Sequence, residues 1–231
     1  MKNISTYISE KLRISAKAPQ YSHVPKTRDD LTYLVEELLI ERGNNADLND
    51  IDVSNITQMD NVFRNCHDEN FDISEWDMSN VETASSMFYG CQKFNCDLSK
   101  WNVSKLKIAS NMFQRCEIFN SDISEWDVSN LENAIYMFFH CTKFNQDLSR
   151  WNVKNLKYAA CMFRSCESFN QDLTSWNLEQ ASDLTSMFHG CKSLNKDYSN
   201  WKTVNKGPTY KMFSCCDSLT KPPKWYNDLR F

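Results

Sequence analysis

Six tryptophans of this chain stand at one spacing. Trp76, Trp101, Trp126, Trp151, Trp176 and Trp201 follow one another every 25 residues, and Trp225 comes after a further 24. Cysteines keep the same step at Cys66, Cys91, Cys116, Cys141, Cys166, Cys191 and Cys216. A Met-Phe pair keeps it too, from Met87-Phe88 to Met212-Phe213, with Val62-Phe63 as an altered first copy. Three interlocked series of one period mean a linear array of one structural unit. A unit this short cannot bury its own apolar face, so its neighbours must complete the core.

One unit is read from Phe144 to Cys166. Trp151 and Val153 alternate with Arg150 and Asn152, and a period of two predicts a strand. Leu156, Ala159 and Met162-Phe163 recur every three to four residues, which predicts a short helix. Ser79 with Glu82, and Ser129 with Glu132, match a capping box at its start. The predicted fold is therefore an α/β repeat: a leucine-rich-repeat-like solenoid of about seven 25-residue strand-turn-helix units over residues 47–221.

Residues 1–46 lack the repeat and read as an N-terminal helical cap. Thr27 stands before Leu31, Leu34, Val35, Leu38 and Leu39, with Gly43 beyond them, the pattern of a capped helix. An earlier short helix is expected around Ile4, Tyr7, Ile8 and Leu12. Residues 222–231 form a C-terminal cap. There Pro222-Pro223 stand in the Asp-Leu positions and blunt the final edge, since proline cannot donate to a ladder.

The pattern Phe-Asn-x-Asp-Leu-Ser-x-Trp-Asn/Asp-Val-Ser-Asn, followed by Met-Phe-x-x-Cys, resembles the BspA-type leucine-rich-repeat surface-protein family over residues 47–221. The resemblance implies a solenoid and, from the surface members, adhesion or protein binding. It brings no catalytic motif.

Hydrophobic residues make up 41% of the chain and the mean hydropathy is −0.60. No run is apolar enough to insert in a membrane. The net charge of −4 gives no sign of a nucleic-acid partner. The first residues carry no apolar run of the export type. The expected location is cytoplasmic or virion-associated, with the cell surface as the alternative.

The cysteine ladder is odd in number and holds no Cys-x-x-Cys pair, so buried, reduced thiols are expected rather than disulfides or a metal site. The row Asn70, Asn95, Asn120, Asn145, Asn170 and Asn195 is read as buried amides serving turn backbone of their own and adjacent coils. The row Asp47, Asp72, Asp97, Asp122, Asp147, Asp172 and Asp197 is read as Asx-turns, with calcium ligation as the rival reading. His23, His67, His140 and His189 share no ligand spacing. No catalytic motif, metal site or cofactor signature is present.

The residues flanking each tryptophan position vary while the core does not. Asp50, Asp52, Glu75, Asp77, Glu125 and Asp127 make the first half of this face acidic. They are the candidate binding residues, for a protein partner with a basic surface. The expected function is non-catalytic protein binding through the exposed strand face. The alternatives are a bacterial surface adhesin, a virion structural or accessory protein, and an enzyme with an unrecognised site.

Overall fold

The computed structural model describes residues 21–66, 70–201 and 208–226. It contains one helix among those residues, α1 (Arg28–Arg42), and two short strands, β1 (Ala46–Asp47) and β2 (Phe71–Asp72). The strands pair in parallel, Ala46 opposite Phe71 and Asp47 opposite Asp72, one repeat apart.

The expected helix in each unit is absent from the described residues, and the reason lies in its hydrogen bonds. In the second unit Val81 donates to Met78, Met87 to Ala84, and Cys91 to Phe88. Each of these closes a tight turn of four residues. The buried side chains sit at the turn corners, so they recur every three residues or so, as they would on a helix face. The N–H groups between them turn outward. Ala84 donates to Ile108, Ser86 to Ser110, Phe88 to Met112 and Gly90 to Gln114, all in the next coil. Ser86 and Gly90 have φ of 56° and 78°. Left-handed residues every four positions cannot continue a right-handed helix. The supposed capping box is likewise dismantled. The Ser79 N–H donates to Asp77 Oδ1 at 3.0 Å, and Glu82 pairs with Lys107 Nζ at 2.9 Å.

The strand expected at each Trp-x-Val is displaced as well. Parallel bridges instead link Gln58, Thr83, Ile108, Asn133, Tyr158 and Asp183, each to the next. This row lies in the half of the unit that periodicity assigns to a helix.

Successive units stack in register. The Trp101, Trp126, Trp151 and Trp176 rings lie nearly parallel, with centroids 6.2–6.3 Å apart. Phe113, Phe138, Phe163 and Phe188 stack beside them at 5.5–5.6 Å. All are buried, and aromatic pairs of this kind add ~0.5–1.5 kcal/mol each beyond the area they bury.

Three ladders tie the coils together through side chains. Each indole N–H reaches back to a buried carbonyl, as Trp151 to Ile123 at 2.9 Å. The ladder thiols from Cys91 to Cys216 do the same, as Cys141 to Phe113 at 3.0 Å. From Asn95 to Asn170 each asparagine oxygen accepts the N–H of the next asparagine, as Asn120 from Asn145 at 2.8 Å. Those amides are exposed or half-buried rather than buried.

The helix α1 starts on a capping box in which Thr27 and Asp30 satisfy each other's backbone N–H groups. It ends at Gly43, whose N–H donates to Leu39. Leu31, Val35, Leu38 and Leu39 are buried against the first coil. Arg28 Nη1 donates to the Asp60 carbonyl at 3.3 Å, and His23 bridges Ile51. The short helix expected near Ile4–Leu12 lies outside the described residues. At the other end Pro223 is buried, and Trp225 still reaches the Tyr198 carbonyl at 2.8 Å despite the shortened step.

Candidate functional site

The six candidate acidic residues fall into two rows. Asp50, Glu75 and Glu125 share one, with Lys100 and Arg150 set between and after them. Lys100 Nζ bonds Glu75 at 2.5 Å, and Arg150 bonds Glu125. Asp50 is gripped by both terminal nitrogens of Arg42 at 2.8 and 3.0 Å. The Arg42 hydrogen bond holds its carboxyl below the ordinary range. The negative charge expected of this row is thus matched by neighbouring cations.

Asp52, Asp77 and Asp127 form the second row. Their Oδ1 atoms accept the N–H of Ser54, Ser79 and Ser129, each at 3.0 Å. Hydrogen bonds from Ser129 hold the Asp127 carboxyl low. Asp52 and Asp77 share surroundings: burial first, then both carboxylates, raise the Tyr21 hydroxyl. The structure brings these two together, while Asp127 stands two coils away.

The Asx-turn reading of the other aspartate row matches the geometry. Asp72, Asp97, Asp122, Asp147, Asp172 and Asp197 each accept the N–H two residues on, at 2.8–2.9 Å. Among the described residues, no three His, Cys, Asp or Glu side chains converge in a way that could hold a metal ion. A small cleft near the first coils is lined by Asn70, Asp72, Cys96 and Asp97. Its thiol is pushed up to about 12 by burial, which leaves it a poor nucleophile.

A second surface has no counterpart among the sequence-derived candidates. The bridge row presents Gln58, Thr83, Ile108, Asn133, Tyr158 and Asp183 outward, with Ile108 and Tyr158 exposed. Three to seven residues further along the coil lie Arg115, Tyr136, Phe139, His140, Arg164 and His189. Phe139 sits edge-on to Tyr136 at 5.6 Å and under the Arg164 guanidinium at 5.9 Å. Burial, then Arg164 and Lys211, lower the His189 pKa. These residues come from different repeat phases, so no row of one residue type announces them.

A protein-family model described as "Mycoplasma protein of unknown function, DUF285" matches residues 32–149 and again 119–226. No curated protein and no solved structure matches the chain.

Proposed function

We propose, for a chain that belongs to the DUF285 family of mycoplasma proteins of unknown function, a non-catalytic role as a protein-binding scaffold. The repeat is read as BspA-like and the stack as a leucine-rich-repeat-type solenoid whose side surface meets the partner. The observation that carries this is the bridge row. Tryptophan, cysteine and asparagine recur at their positions and bond to adjacent coils, as Trp151, Cys141 and Asn145 do. The outward bridge positions hold six different residues in six units and include two large exposed apolar side chains. A fixed frame with varied outward side chains is how repeat proteins build binding surfaces.

The acidic face remains a second reading, supported by Asp52 and Asp77 lying together beside Tyr21. An adhesin or a virion component would use either surface in the same way. Photo-crosslinking separates them. A benzophenone side chain is placed at Ile108 or Tyr158, and in other variants at Asp77 or Asn152, and exposed to extract of the native host. Discrete protein adducts from positions 108 and 158 alone support the bridge-side surface. Adducts from position 77 alone move the site to the acidic face, and none from any position overturns the binding role.

A further inference from the structure

We propose that the surface formed by Arg115, Tyr136, Phe139, His140, Arg164 and His189 takes an acidic, partly apolar peptide segment of a partner protein. This names the partner class for the bridge-side surface and so rests on the protein-binding reading.

The charge pattern carries the argument. Acid–base pairs elsewhere on the stack are matched across one coil step: Glu75 with Lys100, Glu82 with Lys107, Glu125 with Arg150, Glu132 with Lys157, and Glu167 with Lys192. Among the described residues, none of the ion pairs involves Arg115 or Arg164. Arg115 is exposed. No Asp or Glu stands at the Gln114 or Arg115 position in any described coil, from Arg64-Asn65 to Ser214-Cys215. On a chain of net charge −4, Arg115 and Arg164 thus carry charge outside the ion-pair rows, and the Glu167 carboxylate near His140 is already held by Lys192 at 2.8 Å. Complementarity therefore calls for carboxylates.

Geometry narrows the occupant further. Arg115 and Arg164 are two coil steps apart, ~10 Å at the strand spacing of ~4.8 Å. An extended chain advancing ~3.3 Å per residue spans that distance with carboxylates three residues apart. Between them, Tyr136 offers a half-buried ring to an apolar side chain. Aromatic and arginine side chains grouped in this way dominate binding energy at protein interfaces. A single-stranded nucleic acid suits the surface less well. The Arg164 guanidinium already lies over the Phe139 ring, and stacked bases need an open ring face.

The test selects a random displayed 12-residue peptide library against the whole chain, with polyuridylate as a parallel probe. Selected peptides are expected to carry net negative charge, with acidic pairs three residues apart around an aromatic or aliphatic residue. Affinity should fall at least tenfold in Arg115→Glu/Arg164→Glu, and should weaken at high salt. Arg115→Asn/Arg164→Gln guards against a folding defect, because asparagine accepts the φ of 62° found at Arg115, and it should also lose most binding. Neutral or basic selected peptides, equal binding by both variants, or tighter binding of polyuridylate would each overturn the proposal. Crosslinks at positions 108 and 158 that persist in these variants would leave the protein-binding reading standing while removing this surface from it.

Discussion

The Trp126 indole N–H donates to the Leu98 carbonyl at 3.0 Å, across 28 residues of sequence and one step of the stack. The bond is buried, so its loss strands an acceptor away from water. Trp126→Phe should cost ~1–3 kcal/mol of unfolding free energy. Trp225→Phe, at a half-buried terminal position, should cost less. Urea denaturation of both variants checks the order.

Burial raises the ladder thiols: Cys141, Cys166 and Cys191 rise well above the usual thiol range and Cys216 rises to about 12. A folded-state pKa above the unfolded one gives stability that is complete below the unfolded value of ~8.5 and is lost as pH rises past it. The melting temperature should therefore hold to about pH 8 and drop steeply by about pH 10.5. Native alkylation at pH 8 should label exposed Cys215 first and reach Cys141 only on unfolding. A flat profile to pH 10.5 would contradict the buried ladder.

The Asx-turns give the opposite dependence at the acid end. Hydrogen bonds from Ser124 and Thr174 lower the Asp122 and Asp172 carboxyls. Stability from a lowered carboxyl is present above its unfolded value near 3.9 and is lost as pH falls through the folded one. Asp122→Asn/Asp172→Asn keeps the acceptor oxygens without the titration. This variant should show a shallower loss of melting temperature between about pH 4 and pH 2.

The alternation of Glu75, Lys100, Glu125 and Arg150, and of Glu82, Lys107, Glu132 and Lys157, gives the charge pattern a period of two coils. Deleting residues 101–125 keeps the core in phase but sets Arg150 beside Lys100 and Glu132 beside Glu82. Deleting residues 101–150 keeps opposite charges adjacent at Glu82 and Lys157. Like charges facing across a step cost a few tenths of a kcal/mol each, and salt reduces the cost. The single-coil deletion should gain more stability from added salt than the double one. Thermal melts of both proteins at low and high salt decide it.

The rows of Trp, Cys, Asn and Asp and the helix between Thr27 and Gly43 are legible in the sequence. Each is either a repeated residue or a local cap. The interior of the unit is not legible, because apolar residues every three to four positions suit a helix and a chain of four-residue turns equally well. Only the bonds that leave the unit, such as Ser86 to Ser110, distinguish the two. The acidic positions Asp50, Glu75 and Glu125 are legible too, and so in principle are their partners Lys100 and Arg150 at the same phase. The Arg115–Phe139–Arg164 surface is hidden because its members stand at two adjacent phases in three units and become neighbours only through the stacking.

Arg28 has a consequence for how long the array can be. In every interior coil the carbonyl at the Asp60 phase takes an N–H from the coil before it, as Ser85 does from Asn61. At Asp60 itself the guanidinium of Arg28 supplies that hydrogen. The side chain thus counterfeits one rung of a unit that does not exist, and α1 lies on the first coil where an earlier one would otherwise dock. The first described coil therefore has a chemically marked edge. Accretion of a foreign edge at that end requires eviction of the helix first, so the same residues that close the core also protect the chain against templated growth.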